Sequence, residues 1–312
     1  MASHSGTKAI VAALVANLGI AMTKFLAWFL TGSSSMLAEG IHSVADSSNQ
    51  LLLLIGQKRG QRQPTKLHQF GYARVRYIYA FLVSIILFTL GGLFALYEAW
   101  HKFRHPEAIT AWHWVPVAVL VIAIVLEGRS FLIALTESKK IRGSQSLTSY
   151  VRTSRAPEIP VILLEDAAAL IGLVIALFGV AMTLVTADGR WDAVGSAAIG
   201  FVLVAVALFL ASEIGSMLVG ESASDDVMKT ITEALAGDGR DSLDLINLRT
   251  LHLGPDQLLI AAKFKTTEHV SGEQIAATIN AAEVRIRAAV RHQCVIYLEP
   301  DIPASGSQPN TY

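Results

Sequence analysis

Four ionisable side chains stand where the surrounding sequence is almost wholly apolar. His42 and Asp46 lie four residues apart in "AEGIHSVADSSNQ", with Asn49 three further on, and Glu165 and Asp166 are adjacent in "LLEDAAALIG". On a helix, a spacing of four puts His42 and Asp46 on one face, one turn apart, and Asn49 extends the same stripe. Glu165 and Asp166 fall within about 100° of arc, so both can address one neighbouring helix. An ionisable side chain at mid-bilayer costs on the order of 2.5–3.5 kcal/mol on insertion scales. Each of these groups therefore needs a compensating partner. One imidazole nitrogen and two or three carboxylate oxygens, drawn from two helices, make a tetrahedral donor set for a divalent cation. The competing reading of His42 is a buried hydrogen bond between helices.

The elements that must position these groups are membrane helices. The chain of 312 residues is 53% hydrophobic and 16% charged, against about 25% charged in soluble domains. Hydropathy predicts six spans, at 9–31, 36–57, 76–100, 112–136, 158–185 and 191–214. Lys58, Arg59, Arg62, Lys66, Arg74 and Arg76 lie between the second and third spans, and Lys139, Lys140, Arg142, Arg152 and Arg155 between the fourth and fifth. The opposite loops carry only Lys102, Arg104 and Arg190. The positive-inside rule then puts both termini in the cytoplasm of a multi-pass protein of the cell (inner) membrane. The N-terminal apolar run lacks a cleavage pattern and reads as a retained first helix. A formal net charge of zero gives no field for nucleic acid. A single cysteine, Cys294, excludes an intrachain disulfide and a multi-thiolate zinc site. No nucleophile elbow, HExxH or phosphate-binding loop points to an enzyme.

Other membrane charges have simpler readings. Lys24 can snorkel from the first span to an interface. Glu127 and Arg129 diverge by about 200° on the fourth helix. Arg129 snorkels, and Glu127 either pairs with another helix or belongs to a proton route. Trp100, Trp112, Trp114 and Trp191 form an aromatic belt at the outer interface.

After about residue 216 the composition changes. "SDDVMKTITEAL" is a capped amphipathic helix, "LDLINLRTLHL" and "QLLIAAKFKTT" are strands around Gly254-Pro255-Asp256, "GEQIAATINAAEVRIRAAV" is helical, and "CVIYLEP" is a strand. The expected architecture is a membrane α-helical, six-helix bundle at 1–215. A small α/β (αββαβ, ferredoxin-like) cytoplasmic domain follows at 216–303, then a disordered tail at 304–312.

Several strings together resemble the cation diffusion facilitator family. "TGSSSMLAEGIHSVAD" looks like its first loop and metal-binding second helix, and "HQFGYARVRYIY" is similar to the start of its third. "WDAVGSAAIG" looks like the start of its sixth helix and "LVGESAS" like the exit to its soluble domain. The resemblance implies a proton-coupled antiporter of zinc or similar divalent cations, without a prosthetic group. It also implies a homodimer formed through the cytoplasmic domain and membrane helices. Carried over, His42 and Asp46 are ligands of the second helix and Asp166 of the fifth, with Asn49 beside them. The histidine expected four residues before Asp166 is Ile162, and Glu165 stands in its place as the substitute. That Glu-Asp pattern resembles the branch that includes the mitochondrial zinc exporter of animals. An oxygen-rich site keeps manganese, iron(II) and cobalt open beside zinc. A non-transporting metal-binding scaffold or sensor is the alternative. In the tail, Tyr297 replaces a ligating histidine. His252, His269, Glu299 and Asp301 are left as a residual site, or else the domain is metal-free. His68 marks a metal-admitting loop or simply orders it.

Overall fold

The computed structural model describes residues 2–31, 34–106, 114–237, 243–267 and 269–302, with the side chains of 2–6, 8, 27, 28, 30, 31, 34–42 and 45 outside that description. The expected tail at 304–312 and Trp112 also lie outside it. The chain forms two compact units: Met1–Gln61 with Val75–Gly215, and Arg62–Arg74 with Ser216–Tyr312.

The first unit is built from long helices. These are α1 (Ala2–Thr31), α2 (Ser34–Gly60), α3 (Val75–Ile86) continued by a π-helical stretch (Leu87–Leu93) into α4 (Phe94–Arg104), α5 (Trp114–Arg142), the short α6 (Leu147–Thr153), α7 (Glu158–Thr186) and α8 (Arg190–Val219). The helices overrun the hydropathy windows because backbone bonding continues into charged ends such as Lys58 and Arg59 of α2 and Lys139, Lys140 and Arg142 of α5. Among the described residues, five stretches are long and apolar enough to cross a membrane: Ala9–Leu26, Val75–Arg104, Trp114–Arg142, Glu158–Thr186 and Arg190–Val219. Helix α2, the predicted second span, is not one of the five. It carries Asp46, Ser47, Ser48, Asn49 and Gln50 in succession.

Small residues let these helices approach. Ala9, Ala13, Ala16 and Ala21 of α1 and Ala123 and Ala134 of α5 are buried, and α1 packs along both α2 and α5. Helix α5 packs in turn on α7, and α2 on α3. The outward faces are apolar: Val15, Met22, Leu132, Val174, Phe178, Phe201 and Leu208 are all exposed. A surface of that kind suits acyl chains, where a water-soluble fold would bury it. The π-helical stretch meets α8 closely. A Cβ at Gly92 would stand 2.5 Å from Val204 Cγ2, and one at Gly200 would stand 2.8 Å from Leu96 Cγ.

In the second unit, α9 (Asp225–Ala236) and α10 (Gly272–Ala289) accompany a three-stranded sheet of β1 (Asp244–Gly254), β2 (Gln257–Lys265) and β3 (Gln293–Asp301). The order is β1-β2-β3, with β1 antiparallel and β3 parallel to β2. Alternate residues of β2, namely Leu258, Ile260, Ala262 and Phe264, point into one core with Ile231, Leu235, Ala282 and Ile286 of the helices. The capping box between Ser271 and Gln274 fixes the start of α10. The basic segment 62–74, which hydropathy assigns to a loop between spans, packs into this unit. Ala73 lies against Gly254, and Arg74 Nη2 donates to the His252 carbonyl at 3.4 Å.

Candidate metal centre

The polar groups of the first unit gather on the inward faces of α1, α2, α5 and α7. Glu165 and Asp166 are 6% and 1% exposed, so both carboxylates of α7 point into the bundle. Glu165 is held from α2 by two amides. Asn49 Nδ2 donates to Oε1 at 2.7 Å and Gln50 Nε2 donates to Oε2 at 3.1 Å. Gln50 Oε1 accepts from Asn17 Nδ2 of α1 at 3.2 Å, so one chain of hydrogen bonds crosses three helices. Asp166 is held from α5, where Ser130 Oγ donates to Oδ2 at 2.8 Å.

Two acceptors in this region are buried and have no hydrogen-bond partner: Asp166 Oδ1 and Asn49 Oδ1. A buried acceptor without a donor costs about 1–3 kcal/mol. A cation satisfies such oxygens without any donor. Asp46 of α2 is half-buried and lies in Coulombic range of Glu165. Among the described residues, no group of three or more His, Cys, Asp and Glu side chains is placed to hold a metal ion. His42 lies on α2 one turn before Asp46, and its side chain is outside the described residues. Of the predicted residues, the structure thus brings Asn49, Glu165 and Asp166 into one buried polar region, with Asp46 within electrostatic reach.

Three neighbours were not singled out from sequence: Asn17, Gln50 and Ser130. Each is an uncharged polar residue in an apolar or serine-rich helix, and that was the available signal. Ser130 also follows Glu127 at i+3, which places both on the face of α5 toward α7. Lys24 is buried, not extended to an interface as the snorkelling reading has it. Ile162, at the position where a histidine is expected, is wholly buried one turn before Asp166.

An ion pair lies at the start of α7, two turns before Glu165. Arg76 Nε and Nη2 donate to Glu158 Oε1 and Oε2 at 2.5 and 2.9 Å, joining α3 to α7 as a fork. Glu158 is seven residues before Glu165 and so lies on the same face, two turns away.

In the second unit, the suggested residual set does not assemble. Lys263 Nζ pairs with Glu299 and Asp301 at 3.2 and 3.3 Å. His252 is opposite Leu258, five residues along β2 from Lys263, or about 16 Å at the rise of a strand. His252 packs instead edge-on against His292, with ring centroids 5.4 Å apart. His68 orders its own turn: its N–H donates to Thr65 Oγ1 at 3.1 Å, its carbonyl accepts from Gly71 N at 3.0 Å, and its ring packs on Tyr72.

A family model described as the cation efflux transmembrane domain matches residues 10–219. The chain is 34% identical over 233 residues to a proton-coupled zinc antiporter, SLC30A9, mitochondrial, of Xenopus laevis, covering 74% of this chain and 42% of that protein. It is 33% identical over 233 residues to the Homo sapiens protein of that name, covering 74% and 41%. Metal tolerance protein C4 of Arabidopsis thaliana is 29% identical over 239 residues, covering 74% and 51%. The chain therefore spans about half or less of the length of these relatives.

Proposed function

Since this chain belongs to the cation efflux, or cation diffusion facilitator, family, we propose that it is a multi-pass membrane transporter that exports divalent metal ions in exchange for protons. The observation that carries this reading is the buried pair Glu165–Asp166, suspended by neutral amides and a hydroxyl inside an otherwise apolar bundle. Acids in such a place are tolerated when they face a cavity or partner and serve an ion pathway.

Zinc is the substrate that the relatives' names favour, and manganese, iron(II) and cobalt fit the oxygen-rich donors. His42, Asp46 and Asp166 are the proposed ligands, with Glu165 and Asn49 completing the set. Helix α2 is the sixth span, made amphipathic by the groups that bind the cargo. The imidazole of His42 lets protons compete with metal there. Exchange of one ion for protons keeps the buried acids neutralised whether the bundle opens to one side or the other. The basic loops favour cytoplasmic termini in a cell membrane. The unit that includes residues 216–303 is the proposed cytoplasmic domain through which two copies pair.

The test is flux. Purified protein in proteoliposomes is given an imposed proton gradient and a panel of Zn²⁺, Mn²⁺, Fe²⁺ and Co²⁺, with internal pH followed alongside. The expected result is metal movement coupled to opposite proton movement, abolished in the His42→Ala, Asp46→Ala double variant. Equilibrium binding without flux would identify a scaffold or sensor and sink the transporter reading.

A further inference from the structure

The transporter reading leaves Glu127, a buried acid of α5, unused. Glu127 of α5 is 3% exposed and lies in the middle of the bundle. Its carboxyl lies close to three other acids, Asp166, Asp46 and Glu165, with Asp166 within hydrogen-bonding reach. A buried acid surrounded by acids is stable only when something positive joins them or protons neutralise them. Two further observations point to a cation. Ser130, one turn along α5, occupies Asp166 Oδ2 and leaves Oδ1 without a donor. Asn49 spends its Nδ2 on Glu165 and leaves its own Oδ1, a neutral acceptor, buried and unpartnered.

We infer that Glu127 is a ligand of the transported cation, so that the binding site draws on α5 as well as α2 and α7. This rests on the proposed transport function and extends it. Ser130 is a positioning residue that turns Asp166 so that its free oxygen is available. The carboxylate of Glu127 supplies a donor that the α7 sequence lacks at Ile162, and it supplies oxygen instead of nitrogen. The consequence is chemical: more carboxylate and amide oxygen shifts preference toward harder ions such as Mn²⁺.

The competing role is a neutral carboxylic acid that only hydrogen-bonds to Asp166. Glu127→Gln separates the two, because glutamine has the same size and donates a hydrogen bond as the neutral acid does. Full-length wild type, Glu127→Gln, Glu127→Asp, Glu127→His and Ser130→Ala are purified and reconstituted. Equilibrium dissociation constants for Zn²⁺ and Mn²⁺ are measured beside flux. The expected result is about tenfold or greater weakening in Glu127→Gln, larger for Mn²⁺ than for Zn²⁺, with a smaller loss in Glu127→Asp. Glu127→His should raise the Zn²⁺ over Mn²⁺ preference. Ser130→Ala should weaken both ions with their ratio unchanged. Binding of both ions within twofold of wild type in Glu127→Gln would overturn the assignment while leaving the transporter reading intact. Wild type that neither binds nor moves any ion would remove both. If Glu127→Gln melts early, Glu127→Asp decides: changed selectivity at wild-type stability supports the ligand, and unchanged selectivity overturns it.

Discussion

Arg76 at the start of α3 grips Glu158 at the start of α7 through two hydrogen bonds, with the two side chains only 10% and 4% exposed. Removing Arg76 leaves the Glu158 carboxylate buried without its guanidinium, and removing Glu158 takes away the fork that holds Arg76. Breaking a buried pair in this way costs about 3–5 kcal/mol. Glu158→Ala and Arg76→Ala should each lower the unfolding temperature of the detergent-solubilised protein sharply. Arg76→Lys should recover little, since an ammonium cannot form the fork. Equal melting of Arg76→Lys and wild type would show that the bidentate geometry contributes nothing.

Gln50 is the link between Asn17 and Glu165. Gln50→Leu keeps the volume and removes both bonds, releasing Glu165 Oε2. Partners behind a metal ligand are typically worth 10–100-fold in affinity. The expected outcome is metal binding weaker by at least about tenfold. Thr7→Val, which breaks the more distant Thr7–Gln57 bond, should leave affinity unchanged. Dissociation constants for both variants check this.

Ile162 occupies the buried position one turn before Asp166. Ile162→His adds an imidazole at that place. Nitrogen donors favour zinc over manganese, so the ratio of Zn²⁺ to Mn²⁺ flux should rise. A ratio that stays put or falls would mean that residue 162 does not face the ion.

Gly92 and Gly128 distinguish close packing from mere small size. A methyl at Gly92 would meet Val204 Cγ2 at 2.5 Å and Val204 N at 3.1 Å, whereas one at Gly128 would meet nothing within 4 Å. Gly92→Ala should destabilise by about 1–3 kcal/mol. Gly128→Ala should be neutral or slightly stabilising, because it removes backbone freedom from a helix. Parallel thermal melts decide it.

Burial pushes the His292 imidazole below its ordinary value, with the Asp256 charge acting the other way. The folded state then binds the proton less readily than the unfolded chain. The stabilisation is complete above about pH 6.5 and is lost as pH falls from there through the folded value. Melting temperature should drop on acidification below about pH 6.5, and His292→Phe should flatten that part of the curve.

Much of the membrane unit was legible from residue order alone. The apolar runs set where helices form, since a backbone in lipid must satisfy its own hydrogen bonds. The rarity of charge in those runs singles out His42, Asp46, Glu165 and Asp166, whereas Glu127 reads only as a partner for another helix or part of a proton route. The strand strings flanking Gly254-Pro255-Asp256 and the helical run from Gly272 likewise located the small sheet and α10. These features are local: each depends on residues within a few turns of one another.

Tertiary packing decided which groups meet. Periodicity gives the face of a helix and not its neighbour, so Asn17, Gln50 and Ser130 could not be tied to Glu165 and Asp166 until α1, α2, α5 and α7 were packed together. The same limit explains Lys24, which is buried where hydropathy allowed it to reach an interface. It also explains His252 and Glu299, which strand register puts at opposite ends of a sheet. Sequence fixes what each segment must bury, but the pairing of buried groups depends on the rotation and depth at which helices pack, and those are set by side-chain shape across the interfaces.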